Sequence, residues 1–359
     1  MAKKAPAGGH ERTAMALYRT YRPHTFADVR GQEDVVAVLE AAVKQGKISH
    51  AYLFAGSRGT GKTSMARILA RALGTHDEDV YEMDAASNRG IEEIRELREG
   101  VNTLPFSSEY KFYIIDEAHA LTKDAWGAFL KTLEEPPAHA IFVLATTELE
   151  RVPETIQSRC QVFRFKKPSH DTLKKLAQDV AKKEGASLAP AGAELIALMG
   201  DGSFRDTLGI LQKVLTVSAD KQLTEAEVAK VVGAPSSAQV NNFLRALAKR
   251  DLAEALAVFH KALVGADPRV FVLLCVAKAR GVLLLRFAPK MEGELGEQFS
   301  PDDLGVLKEL ARSTSSGQAG NGSAINAALL AELLTALIET PRAPLPQLPL
   351  ELALYRALG

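Results

Sequence analysis

The chain has 359 residues, of which 47% are hydrophobic and 25% charged. This is ordinary globular usage, enough for roughly two or three packed units, and it excludes a disordered, collagen-like or disulfide-scaffold protein. Lys plus Arg and Asp plus Glu both number 44, so any contact with nucleic acid has to come from a local basic surface rather than a bulk field.

In chain order, Met1 to Ala16 is short, polar and basic and lacks the apolar core of a secretion signal, so a flexible tail is expected. From Ala51 the pattern alternates. Apolar runs AYLF (51–54), VYEM (80–83), FYII (112–115), IFVLA (141–145) and VFRF (162–165) are separated by helical periodicity such as Thr63 to Leu73. Most of these runs are continuously apolar, as strands covered on both faces are, so the expected fold is α/β with a mostly parallel sheet.

After Pro168 the strand signal fades. Amphipathic runs follow at His170 to Glu184, Ala189 to Met199 and Phe204 to Leu215, broken by Gly200 and Gly202, and predict a small helical lid. From Thr224 onward helices are expected at Ala238 to Ala248, Leu252 to Leu263, Arg269 to Leu285, Asp302 to Ala311 and Ala324 to Thr340. Val270 to Phe287 is the most apolar stretch, but Lys278, Arg280 and Arg286 argue for a buried helix rather than a membrane span. Ser313 to Ser323 has linker composition. No fixed-period repeat is present and no further module is expected. The implied division is a tail (1–16), a nucleotide-binding domain (17–167), a lid (168–220) and an all-helical domain (221–359).

Gly56-Ser57-Arg58-Gly59-Thr60-Gly61-Lys62-Thr63 fits the phosphate-loop pattern, follows a strand and opens a helix. Glycines let backbone N–H groups crowd round phosphate oxygens, the helix points its positive end at them, and Lys62 adds a full charge. Thr63 offers a hydroxyl to Mg²⁺, and Ser64 continues the helix's first turn. The strand at 112–115 runs into Asp116-Glu117 at the sheet edge where open α/β folds bind ligands. Asp116 is expected to hold Mg²⁺, directly or through water, and Glu117 to orient the attacking water.

Further runs identify a family. Tyr18-Arg19-Thr20-Tyr21-Arg22-Pro23, Asp84-Ala85-Ala86-Ser87-Asn88-Arg89-Gly90, Thr132-Leu133-Glu134-Glu135-Pro136-Pro137 and Ser158-Arg159-Cys160 together resemble bacterial DNA polymerase III gamma/tau clamp-loader subunits, which are AAA+ ATPases. The resemblance is dense over roughly residues 15–216. It implies that Arg159 is an arginine finger acting on a neighbouring subunit's nucleotide. Thr147, or Thr146 beside it, would be the sensor at the end of the fourth strand. Arg205 would be a second sensor on a lid helix. Tyr18, Tyr21, Arg22 and Pro23 with Val29, Gly31 and Gln32 would lie over adenine and ribose.

Arg89, Arg95 and Arg98 are candidates for duplex phosphates, a solvated helix face being the other reading. Gly74 to Asp79 stands where the family usually carries a four-cysteine zinc module, so zinc is not expected and His76 to Asp79 reads as an exposed acidic turn. Cys160 and Cys275 are too few for a structural zinc site and fit a reduced, cytoplasmic setting.

The resemblance implies an ATP-driven subunit that opens a sliding clamp and loads it on primed DNA, working with other loader subunits through a C-terminal helical collar. The alternatives are a non-hydrolysing or regulatory scaffold subunit, or another AAA+ DNA-remodelling ATPase.

Overall fold

The computed structural model describes residues 15–88, 90–218, 220–312 and 325–358. The expected tail as far as residue 14, Arg89 and the expected linker Ser313 to Ser323 therefore lie outside the described residues.

Five parallel strands run in chain order as β1 (Ala51–Ala55), β2 (Val80–Asp84), β3 (Lys111–Asp116), β4 (Ala140–Thr146) and β5 (Gln161–Arg164). Their spatial order is β2-β3-β4-β1-β5. The helices with them are α1 (Leu17–Thr20), α2 (Glu33–Gln45), α3 (Lys62–Ala72), α4 (Ile91–Val101), α5 (Lys123–Glu134) and α6 (Glu154–Gln157). The chain continues through α7 (His170–Lys183), α8 (Pro190–Met199), α9 (Phe204–Val217), α10 (Glu225–Val232), α11 (Ser237–Ala248), α12 (Leu252–Ala262) and α13 (Pro268–Phe287). It ends with α14 (Glu292–Gln298), α15 (Pro301–Arg312), α16 (Ala327–Glu339) and α17 (Leu348–Leu358). A two-residue parallel pair, β6 (Ser187–Leu188) with β7 (Gln222–Leu223), is too short to leave an apolar pattern and escaped the sequence reading.

The chain divides into two compact units. One runs to Thr172 and takes in Gly202–Gln212; the other comprises Leu173–Asp201 and the chain from Lys213 onward.

In the first unit the two-residue side-chain period of the strands builds two cores from one sheet. Tyr52, Phe54, Phe112, Ile114 and Val143 pack with Leu39, Met65 and Leu69 of α2 and α3. The alternate residues Leu53, Tyr113, Ile115, Phe142 and Leu144 pack with Ile94, Phe129 and Leu133 of α4 and α5. Every residue of β1 and β4 is buried, whereas β2 and β5, at the two edges, expose most of theirs.

The acidic turn before β2 departs from expectation. Asp79 is fully buried rather than exposed, and its carboxylate accepts N–H groups from Phe106 (2.6 Å) and Ser107 (2.9 Å). Desolvation pushes its pKa upward, but these bonds, with others from Ser108, outweigh it and hold the carboxyl at about 2.

In the second unit α13 runs through the centre of the helical core, with Phe271, Cys275, Ala279 and Val282 buried. Asp267 caps it by accepting from the N–H of Arg269 and of Val270. Lys278, expected only to keep this helix out of a membrane, is itself buried. Its Nζ donates to Asp303 Oδ1 (2.7 Å), Asn241 Oδ1 (2.8 Å) and Ser237 Oγ (2.6 Å). Among the described residues no helix is long and apolar enough to cross a membrane.

Two measurements on the full chain test these buried polar groups. Asp79→Asn is expected to cost about 1–3 kcal/mol near neutral pH by denaturant unfolding. Because the folded carboxyl lies below its ordinary 3.8, the stabilisation is complete above that value and fades as pH falls toward about 2, so wild type and variant converge in acid. Asp303→Leu alone strands the buried Lys278 ammonium and is expected to cost about 3–5 kcal/mol, while adding Lys278→Met recovers much of the loss.

Candidate nucleotide site

The site is assembled where β1, β4 and β3 end side by side. Ala55 pairs with Thr146 and Ile115 with Leu144, so the chain leaving each strand emerges at one edge.

After β1 the loop Gly56 to Gly61 turns into α3. A Cβ at Gly56 would lie 2.6 Å from the Phe165 carbonyl oxygen, and Gly61, the N-cap of α3, has φ 100° and supplies no side chain to the helix's first N–H groups. Those donors are left to the loop's interior. Lys62, 5% exposed, turns its Nζ back onto the carbonyls of Gly56 (2.7 Å) and Ser57 (3.0 Å). Burial pushes this ammonium below its ordinary value and Arg205 adds to the effect, while Glu117 and Asp116 oppose it. Ser57 Oγ is buried without a hydrogen-bond partner, Thr60 Oγ1 donates to the Ser57 carbonyl (2.8 Å), and Arg58 is exposed.

Thr63 Oγ1 donates to Asp116 Oδ2 (2.7 Å), and Asp116 Oδ1 accepts the N–H of Glu117 (2.9 Å). A hydroxyl and a carboxylate held this close form the all-oxygen set that Mg²⁺ takes alongside substrate phosphates. Among the described residues no group of three or more His, Cys, Asp or Glu is disposed to hold a metal.

Glu117 has φ 48°, a left-handed backbone that a side-chain-bearing residue adopts at a cost. Its Oε2 accepts from Thr147 Oγ1 (3.2 Å). Thr146 is fully buried, and its hydroxyl pairs with His119 Nδ1 (3.1 Å) and accepts the Glu148 N–H (3.0 Å). Of the two candidate sensor threonines, Thr147 is the one facing Glu117.

Arg22 Nε donates to Ser64 Oγ (3.0 Å) in the first turns of α3. Its guanidinium is pushed below its ordinary value by burial and then by Arg67. Arg205 lies over the Tyr18 ring, 5.7 Å from the centroid, and at the start of the same helix the Phe204 N–H donates to the Gly59 carbonyl (3.0 Å). Beyond burial, Arg205 is close enough to push both Lys62 and Arg22 below their ordinary values.

Tyr21 and Pro23 follow α1 and are half-buried. Val29 packs against the core of α2 and α3, and Gln32 spends both ends of its amide on the Lys166 backbone, at 2.7 and 3.1 Å. These two fix the entry segment to the sheet.

Arg159 donates to the Thr155 carbonyl and to Glu134 Oε1, both at 2.8 Å. Cys160 beside it packs against the core around α5, where burial pushes its thiol up to about 12. In α4, Arg95 pairs with Glu92 (2.6 Å) and Arg98 is half-buried.

Sequence reasoning missed His119. Its ring reaches both Thr146 and Glu148, and the available signal was its place two residues after Glu117.

A family model described as DNA polymerase III, delta subunit, matches residues 31–90 and 75–169. DNA polymerase III subunit tau of Bacillus subtilis is 39% identical over 318 residues, 82% of this chain and 56% of that protein. The chain belongs to the DNA polymerase III gamma/tau family. The gamma/tau subunit of Mycobacterium bovis is 37% identical over 80% of this chain and 54% of its own length, and tau of Escherichia coli 31% over 96% and 55%. The chain therefore spans about half the length of the curated gamma/tau proteins it matches. Among solved structures, the Thermotoga maritima RuvB Holliday junction branch migration motor superposes with a TM-score of 0.51 at 22% identity, covering 63% of this chain and 79% of that one. This likeness carries the fold, a parallel sheet flanked by helices, and nothing about function.

Lys62→Ala removes a side-chain cation lodged among the carbonyls of the phosphate loop. It is expected to weaken ATP binding about 10- to 100-fold, read by fluorescent-nucleotide titration.

Proposed function

We propose that the chain is an ATP-hydrolysing subunit of a bacterial sliding-clamp loader, working within DNA polymerase III to open the clamp and place it on primed DNA. The observation that carries this reading is the convergence of Lys62, Thr63, Asp116, Glu117 and Thr147 at one sheet edge in a gamma/tau chain. A non-hydrolysing scaffold subunit would have no need to keep Lys62 buried against the loop and Glu117 aimed beside Thr147.

Phosphoryl transfer depends mainly on positioning and charge stabilisation. Lys62 and the first N–H groups of α3 bind the phosphates, and Arg22 and Arg205 add positive charge on the same side. Mg²⁺, held by Thr63 and Asp116, would neutralise phosphate charge when bound. Glu117 accepts a proton from the attacking water, and Thr147 fixes which way its carboxylate points. Tyr18, Tyr21 and Pro23 flank the base and ribose.

Arg159 is the finger offered to a neighbouring subunit. Its bonds to Glu134 and the Thr155 carbonyl are partly exposed, at a cost in stability small enough to be exchanged for a phosphate. The helical stretch 221–359 supplies the collar for the other subunits, and Arg95 and Arg98 of α4 are the candidates for duplex phosphates, the third candidate, Arg89, lying outside the described residues. The expected setting is the cytoplasm.

The test is steady-state ATP hydrolysis by the chain assembled with its loader partners, with and without clamp and primed DNA together. Joint stimulation is expected, and Glu117→Gln should keep ATP affinity while stalling turnover by at least about 100-fold. Nucleotide binding without stimulated turnover would sink the motor reading in favour of a scaffold role.

A further inference from the structure

His119 belongs to none of the motifs that define the site, yet it is the side chain between the Glu117 carboxylate and the loop after β4. Its ring is 12% exposed. Nε2 lies 3.2 Å from Glu148 Oε1, and Nδ1 lies 3.1 Å from Thr146 Oγ1 and 3.5 Å from Glu117 Oε2. Glu148 is itself anchored, its two oxygens accepting from Arg151 at 3.2 and 3.3 Å.

For a neutral ring, the hydrogen-bond chemistry favours one placement of the proton. A carboxylate only accepts, so the Glu148 contact requires a proton on Nε2. The Glu148 backbone N–H occupies one lone pair of Thr146 Oγ1 (3.0 Å), and with Nε2 protonated the Thr146 hydroxyl is the group that donates to the bare Nδ1. The side of the imidazole nearest Glu117 then presents a lone pair to another lone pair. That contact is repulsive, and the Thr147 hydroxyl, 3.2 Å from the same Oε2, is the donor that takes it. With the proton on Nδ1 instead, an N–H would face Glu117 and hold its carboxylate against the ring, away from water.

We propose that His119 is a positioning residue for Glu117: Glu148 holds the imidazole as the Nε2-protonated tautomer, and its bare Nδ1 keeps the Glu117 carboxylate turned to Thr147 and the attacking water. This inference rests on the assignment of Glu117 as the base of ATP hydrolysis. It adds a three-residue chain, Glu148 to His119 to Glu117, through which the loop after β4 sets the competence of the base.

The test uses the assembled loader with clamp and primed DNA. His119→Ala is expected to lower kcat about 10- to 100-fold with ATP affinity unchanged, because the residue touches neither Lys62 nor Thr63. His119→Asn, which returns an acceptor near the Nδ1 position, should recover part of the loss. In a Glu117→Gln background, His119→Ala should add nothing, since both act through one group. Imidazole ¹⁵N spectra of the full chain, with His119 assigned by difference from His119→Asn, should show a proton on Nε2 in the wild type and on Nδ1 for part of the population in Glu148→Ala.

Full turnover in His119→Ala where Glu117→Gln stalls would overturn this inference alone. So would an Nδ1 proton in the wild type, additive effects in the double variant, or ATP affinity falling in step with kcat. Full turnover in Glu117→Gln would instead overturn the assignment of the base, and the inference with it.

Discussion

A parallel sheet delivers the C-terminal end of every strand to one edge, and all the chemistry assigned to this chain depends on three neighbouring strands arriving there together. β4 lies between β1 and β3, so the phosphate loop, the Asp116-Glu117 pair and the Thr146-Thr147 pair emerge within hydrogen-bond reach. The Thr63 to Asp116 bond at 2.7 Å then joins the first turn of α3 to the end of β3 across the intervening strand. Side-chain alternation supplies the other half of the constraint. The residues between the site ends are buried on both faces, which leaves the strands no freedom to slip without turning large side chains out of their cores.

Within that frame the site concentrates positive charge in a buried place. Burial lowers the pKa of both Lys62 and Arg22, and neighbouring cations lower them further. Only the carboxylates of Asp116 and Glu117 pull Lys62 the other way. An environment that disfavours its own cations is one that a polyanion relieves, which would give the proposed triphosphate binding a driving force beyond the count of its hydrogen bonds.

Much of this was legible in the sequence for a specific reason. Continuous apolar runs ending in a glycine loop or in Asp-Glu are rare patterns with few physical solutions, so β1 and β3 and the residues at their ends could be read directly, whereas the threonines ending β4 were picked out only through the family resemblance. Long helices with clear breakers, such as α7, α9 and α13, were equally plain. What escaped depended on partners distant in sequence. Asp79 looked like a solvated turn because Phe106 and Ser107, whose N–H groups it accepts, come 27 and 28 residues later. The bonds of Gln32 to the Lys166 backbone were equally hidden, because nothing local reveals a partner that distant in sequence. Lys278 read as a charge on an apolar helix, and only the approach of α11 and α15 turned it into a core residue. His119 carried no signal beyond its place two residues after Glu117, its contacts coming from the end of β4 and the loop after it.

The left-handed backbone at Glu117 has an evolutionary consequence. A residue at φ 48° carries on the order of 1 kcal/mol of strain that glycine would not, so folding alone would favour losing the side chain. The turn that bends the chain there also brings the carboxylate to Thr147 and the His119 ring to Thr146. Under the proposed role, glycine here would relieve the strain but remove the base, and ordinary helical or extended geometry would re-aim it. On the proposed reading, turnover and stability therefore pull in opposite directions at this one position.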